Sequence, residues 1–460
     1  MEGMNFLRQW NRFAGENTSL IKKALSSATG VGEALVPQSL EKEITNTIIR
    51  LSPEMALVTM KKISAKFHEF NRLSSLPSQS SAMGENGTTP TKNSTTVRDG
   101  VTLKVVRRKG AVTNFLQDTT GEYIDASAYE MENHLIAHIY DMINYILYGN
   151  KGANSYEFDG LDTLIATNRT IQARYGSTPT SLKFLDDMID KSNRKGGAKH
   201  KRAFVMSPEM LSLVSQLLTN VRLNQGLAGT MSQVEINGGW RLNAYRDIPI
   251  VESTATSPRT TMGTVTSATA TTGGTIADGT HYFKVSKVTL NGEELAFAKS
   301  QAASGGGTST ITLSFADQTD ALRYKIYYGT VQNAETLIKV VNADTFDGNG
   351  TPTGRTTGVT LTTVAVDTAT VGTHMTSDLA YEQDTGHAVP ETVFLWDLDP
   401  IQGLGKMVYT NSGGSNFDGL VTTTPLAQTD DFLPFLIKSY TALTPAFEAT
   451  SCVNRGLRTY

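Results

Sequence analysis

A single cysteine, Cys452, in 460 residues excludes any disulfide within the chain and permits a reducing compartment. Charge is sparse, at 18% of residues, and nearly balanced at a formal net charge of −3. That is too little charge for a disordered chain and too even for a generic nucleic-acid binder. No run of about 18 apolar residues occurs, which argues against a membrane-spanning helix. The opening MEGMNFLRQWNRFAG places Arg8 and Arg12 inside its most apolar part, so it does not read as a secretory signal. Only three tryptophans are present, few for a carbohydrate-binding surface. A soluble chain of about two to four folded units is expected.

Signatures of catalysis and metal binding are equally scarce. His134 and His138 stand four apart with Glu130 one turn earlier, but the motif is HLIAH rather than HExxH. His68-Glu69 has no second histidine at a ligand spacing. Asp344, Asp347 and Asn349 miss the spacing of a calcium loop and read as turn residues. Gly403-Leu404-Gly405-Lys406 lacks the first glycine and the terminal hydroxyl of a phosphate loop. Asp186, Asp187 and Asp190 read as a solvated helix face. No GxSxG elbow occurs. The expectation is therefore no catalytic residue, no metal and no cofactor.

What is present is a sharp internal division. Residues 1–110 carry 16 Lys/Arg against 9 Asp/Glu, whereas 373–460 carry 4 against 10. Such a basic front and acidic tail can attract each other within or between copies. Residues 1–55 read as an arm with short helices over 17–27 and 39–50. Over 56–115, strand-like limbs at about 57–71 and 97–115 flank a polar tip, SSLPSQSSAMGENGTTPTKNSTT, too long for an ordinary hairpin connection. Such a loop is made to lie on something else.

Over 123–148, Ala128, Met131, Leu135, Ile139, Met142 and Ile146 step by three or four, the spacing of one face of a helix roughly 40 Å long. Gly149-Asn150 ends it. Residues 155–255 read as mixed α/β, with a serine-capped helix starting at Ser207-Pro208. Residues 261–372 then hold 25 threonines and one proline. Here Ile311, Leu313 and Phe315 alternate with polar residues, as do Tyr324, Ile326 and Tyr328 with Arg323, Lys325 and Tyr327. Asn291-Gly292 signals a hairpin. An inserted all-β sandwich is expected, dividing a body formed by 116–260 and 373–460. Because insertions are best tolerated at surface loops, its removal should leave the rest intact.

The order arm, LVP segment, polar-tipped β-loop, long helix ending in YGN and mixed domain resembles the major capsid protein of tailed bacteriophages, the Hong Kong 97 fold. The resemblance is carried by GEALVPQSLEKEITNTIIRLSP at 32–53, Met83-Gly84-Glu85-Asn86-Gly87, the strand at 101–109, ILYGN at 146–150, Phe158-Asp159-Gly160-Leu161 and FVMSPEMLSLV at 204–214. It implies an α+β class comprising an N-arm (1–55), an extended E-loop (56–115), a P domain with spine helix (123–148) and an A domain, with a strand near 439–452 returning to the P domain. The insertion resembles an immunoglobulin-like or fibronectin type III-like module through GTHYFKV at 279–285 and YKIYY at 324–328.

By that resemblance the chain builds an icosahedral head around double-stranded DNA, with the inserted sandwich exposed on its outer surface. Partners would be itself in pentamers and hexamers, portal and scaffolding proteins, and a decoration protein, with no membrane. The location would be the virion, after assembly in the host bacterial cytoplasm. Residues expected to matter are the loop tip (Met83, Gly84, Glu85, Asn86, Gly87), a basic E-loop strand (Lys104, Arg107, Arg108, Lys109) and the spine stripe (Met131, Leu135, Ile139, Met142, Ile146). A DNA-facing run (Arg194, Lys195, Lys199, Lys201, Arg202) would make weak, sequence-independent contacts. Alternatives are an encapsulin-like compartment shell and a surface adhesin or carbohydrate-binding protein. The adhesin predicts a terminal module and a secretory signal, and neither is read here.

Overall fold

The computed structural model describes residues 54–78, 82–83, 85–88, 91–120, 125–165, 169–224, 232–236, 240–256, 262–371, 391–410, 420–428 and 430–457. Nearly all of the expected arm, and the expected helix start at 123, lie outside the described residues.

A strand β1 (Thr59–Lys62) precedes β2 (Phe67–Ser75) and β3 (Thr95–Thr102), which pair antiparallel with each other alone. β4 (Lys104–Thr113) follows, then the long helix α1 (Ala126–Tyr148). The next stretch carries β5 (Thr170–Ser177), α2 (Lys183–Asn193), β6 (Arg202–Met206), α3 (Pro208–Asn224), β7 (Ser232–Ile236), β8 (Trp240–Tyr245) and β9 (Ile248–Glu252).

Then come ten strands: β10 (Val265–Ala270), β11 (Gly279–Thr289), β12 (Gly292–Glu293), β13 (Phe297–Ala303), β14 (Thr310–Phe315), β15 (Arg323–Gly329), β16 (Thr336–Asn342), β17 (Asp344–Phe346), β18 (Pro352–Arg355) and β19 (Gly358–Leu361). The chain closes with β20 (Glu391–Asp397), β21 (Lys406–Tyr409), β22 (Thr422–Pro425), β23 (Phe432–Leu443) and β24 (Cys452–Leu457).

Two sheets build the body, and each draws strands from both sides of the insertion. In one, β23 pairs with β4 along one edge and with β21 and β22 along the other, and β1 adds parallel to β21. The other has seven strands in the order β5-β24-β20-β6-β9-β8-β7. The strand expected to return near 439–452 is β23, which starts earlier and pairs with β4; a further strand, β24, joins the seven-stranded sheet.

The C-terminal half of α1 lies between the two sheets. Met142, Ile143, Ile146 and Leu147 share a core with Val106, Phe435 and Ile437 of one sheet and with Val205, Phe394, Trp396 and Val453 of the other. Each such side chain contributes about 1.5–3 kcal/mol on burial. Earlier along the stripe, Met131, Leu135 and Ile139 are only half-buried, and Ala128 is exposed. On the far face of the seven-stranded sheet, Leu185, Met188 and Ile189 of α2 and Met210, Leu211 and Val214 of α3 cover Phe204, Val393 and Leu395.

The caps follow local chemistry. Asp125 accepts from the Ala128 amide at 3.0 Å and opens α1. Ser207 accepts from the Met210 amide at 3.0 Å ahead of Pro208, as its sequence indicates. At the other end of α1, Gly149 and Gly160 pass so closely that the Gly160 amide donates to the Gly149 carbonyl at 2.9 Å. A Cβ at Gly149 would stand 2.3 Å from the Phe158 carbonyl oxygen, so YGN and FDGL are two halves of one backbone crossing.

Residues 262–371 fold as two larger sheets, β10-β14-β19 and β12/β13-β11-β15-β16, around a separate core that includes Phe283, Ile311, Leu313, Tyr324 and Ile326, with β17 and β18 paired apart from both. The β11–β12 hairpin turns at Leu290-Asn291, one residue before the expected Asn291-Gly292, because Gly292 takes a φ of 107° opposite Thr289.

His138 is fully buried and its Nε2 lies 2.8 Å from the Ser439 hydroxyl across the α1–β23 contact. Burial is the main reason its pKa falls to about 4, opposed by Asp141 and assisted by Arg108. A histidine kept neutral in the fold adds stability above its unfolded pKa of about 6.5 and loses it as pH falls toward 4. Denaturant unfolding of unassembled subunits should therefore lose on the order of 3 kcal/mol from this group between those limits. In His138→Gln that part of the pH dependence should disappear; superimposable pH curves for the two proteins would refute it.

Candidate assembly surface

Among the described residues the β2–β3 hairpin has no third strand, and only its base, at Val101, packs on the body core. Two strands alone are marginal in water, and this pair leaves Phe67, Leu73, Leu76, Met83 and Val97 exposed, Leu76 to 74%. Gly100 lets the Phe67 ring lie across its strand, since a Cβ there would stand 2.4 Å from that ring. At the base, the Leu103 amide donates to the Lys66 carbonyl at 2.9 Å and closes the hairpin. Arg72 ties it to the C-terminal segment: its Nη2 donates to the Pro445 carbonyl at 2.7 Å and lies 3.4 Å from Asp99 and 3.6 Å from Glu448. His68, also near the base, has its pKa lowered by partial burial and then by the Lys406 and Lys61 ammonium groups.

Of the loop-tip residues, Met83, Glu85, Asn86 and Gly87 are exposed, with a turn at Glu85-Asn86; Gly84 lies outside the described residues.

The free hairpin is shorter than the expected 56–115. The limb at 104–113 is β4, whose register with β23 places it in the body, and β1 likewise pairs in the body. The basic strand is thus not on the projecting loop. Arg107 and Lys109 face outward and are exposed, but Arg108 turns inward onto Asp141 of α1 with bonds of 2.6 and 2.9 Å, and Lys104 Nζ donates to the Ser155 carbonyl. Strand alternation decides this: Val106, Arg108 and Gly110 share the α1 side.

Between α2 and β6, Arg194, Lys195, Lys199 and Lys201 are exposed, whereas Arg202 bonds to Ser192 Oγ at 3.1 Å and Asn193 Oδ1 at 2.8 Å. His200, between them, pairs with buried Asp397 at 2.6 Å, a contact no spacing in the sequence announced. Partial burial opposes its charge, and the bonds to Asp397 and Gln402 raise its pKa.

The remaining candidates have structural places. His134 meets Glu130 at 3.2 Å and stands edge-on to Phe435. Asp347 accepts from the Asn349 and Thr351 amides of its own turn, and Asp344 pairs with Arg355. Asp186 accepts from Tyr245 and Arg246, and Asp187 from Lys183. Gly403 and Gly405 pack against Asp397 and Leu398. Among the described residues, no group of three His, Cys, Asp or Glu side chains could hold a metal ion, and no helix is long and apolar enough to cross a membrane.

With the hairpin and its surroundings so placed, residues 17–244 match the SU10 major capsid protein family. The chain is a tailed-phage major capsid protein. No curated protein matches it. Among solved structures, the capsid of Myoviridae phage XM1 is similar at 8% identity and a TM-score of 0.46, covering 94% of this chain and 100% of that one. A native GTA particle capsid is similar at 8% identity and 0.46, with 94% and 98% covered. The SrpI encapsulin complex of Synechococcus elongatus follows at 10% and 0.45, with 93% and 94% covered. None reaches a TM-score of 0.5; the family match is what separates the capsid protein from a compartment shell.

In this capsid protein Arg72 is the hinge pin of the hairpin, a role without a signal in the sequence. Arg72→Ala should speed protease cleavage within 67–102 severalfold on unassembled subunits while leaving the global unfolding midpoint within a degree or two. An unchanged cleavage rate would show that the hairpin is held some other way.

Proposed function

We propose that the chain closes into an icosahedral head around double-stranded DNA, with the β2–β3 hairpin of each copy lying on its neighbours within pentamers and hexamers. The observation that carries this reading is the hairpin itself, with five large apolar side chains exposed and, among the described residues, no third strand beside it. Its area is gained only on another copy, so ordering it is coupled to assembly. The exposed cations at 194–201 suit weak phosphate contacts with packaged DNA. Assembly in the host bacterial cytoplasm, with portal, scaffolding and decoration proteins as partners, completes the proposal. An adhesin would present its module freely, but here one face of the inserted sandwich is buried on the body.

Negative-stain electron microscopy of the purified protein tests the reading. Closed polyhedra or rings should form, and Leu73→Ser/Leu76→Ser should reduce them at least tenfold while the subunit stays folded. Undiminished particles from that variant would remove the hairpin from the assembly contact. A monomer under every condition would remove the shell.

The hairpin residues 67–102 carry three acidic and three basic side chains, so the basic excess lies on its flanks. Raising ionic strength should therefore slow assembly more than it lowers the final yield. Rates independent of salt between about 0.05 and 0.5 M would exclude electrostatic steering.

A further inference from the structure

On β15, Arg323, Lys325 and Tyr327 alternate with the sandwich-core residues Tyr324 and Ile326, so this is the face a detachable module would turn to water. All three are buried instead. Arg323 donates to the Tyr148 carbonyl at the end of α1 and to Glu157 in the loop that follows. Lys325 Nζ lies 3.1 Å from Asp162 and 2.8 Å from Glu293, and the Tyr327 hydroxyl donates to Glu293. Asp162 also pairs with Arg455 of β24. A single carboxylate thus joins a cation of the module to a cation of the last strand.

Burial opposes the charge on Asp162, but Arg455 and Lys325 outweigh it and hold its pKa at about 2. Backbone packing is close at the same junction. Asn150 Nδ2 donates to the Thr370 carbonyl at 2.9 Å, and a Cβ on Gly152 would stand 1.8 Å from the Ala369 carbonyl oxygen. Gly292 of the β11–β12 turn leaves room for the Tyr148 hydroxyl, 2.9 Å from where its Cβ would be.

A buried ion pair need not out-stabilise an apolar pair of the same shape, but removing one partner strands the other charge in the interior. Arg323 also places a cation at the negative end of the α1 dipole. We propose that the inserted sandwich is a positioning element of the subunit: Arg323 and Lys325 lock the end of α1 and the 149–162 loop to β24, and this lock sets the subunit geometry from which the shell closes. The module is then not removable, contrary to the expectation from insertion tolerance. The particle readout rests on the shell reading; the lock itself does not.

The test is hydrogen exchange on the full-length protein, followed by particle imaging below the unfolding midpoint. Arg323→Met/Lys325→Met should raise amide exchange in 139–165 and 452–457 at least tenfold, with 311–315 inside the module unchanged, and should give irregular particles or a shifted diameter. If that variant does not fold, Arg323→Met/Glu157→Gln leaves no stranded charge at the Arg323 site and should show the same local exchange increase. Unchanged exchange in 139–165 would overturn the lock. Faster exchange with closed particles of normal diameter would overturn the positioning role. Wild-type protein that forms no particle would count against the shell reading, while the exchange result still decides the lock.

Discussion

The burial of α1 at its C-terminal end is the constraint on which the subunit depends. Met142 to Tyr148 need cover on several sides, and no single piece of chain supplies it. β4 and β23 cover one side, β6, β20 and β24 another, and β15 of the insertion receives the terminal carbonyl. These strands come from before, within and after the inserted module. The body therefore completes its core only once the last strand is in place, and most of its pairings are of long sequence separation. His138 and Ser439 close the same contact from the polar side, a buried pair that helps fix how α1 sits on β23.

Against that interior, the hairpin is built on the opposite principle. Most of its apolar side chains stay out, and among the described residues it is tied to the body by Val101, which packs on the body core, and by the contacts of Arg72. A segment so held opens locally more readily than the body beneath it. The division falls between Thr102 and Lys104, where consecutive strands belong to different sheets. Leu103 between them is buried in the body core, so a single apolar residue anchors the joint.

How much of this was legible depended on how local the cause was. The stripe of α1 follows from a step of three or four and is buried at Met142 and Ile146, though half-buried at 131, 135 and 139 and exposed at Ala128; the alternation of Ile311, Leu313 and Phe315 follows from a period of two, and all three are buried. The cap at Ser207 is likewise local chemistry, whereas Asp125, the cap of α1, falls inside the span read as helix. The E-loop boundary was not legible, because alternation within β4 is the same whether its partner is β3 or β23. Arg108 could not be told from Arg107 as the inward-facing cation until α1 supplied Asp141. On β15 the alternation was right and its meaning was not: Arg323 and Lys325 look like a solvated face, and only the carboxylates at 157 and 162, more than 160 residues away, turn that face into an interface. His200 and Asp397 illustrate the same limit.

The charge gradient along the chain looked like a device for joining copies, and part of it is already spent within one. Arg72 of the front meets Glu448 of the tail, and Arg108 of the front meets Asp141 of α1, so part of the front's positive charge is already paired within a single subunit. With the hairpin electrically balanced, the contact proposed for it between copies would draw mainly on its exposed apolar side chains. Contacts of that kind are individually modest and non-directional. They suit a shell, because each copy must dock, shift and settle before its ring closes, and many weak contacts made together give a closed particle a persistence no single contact has.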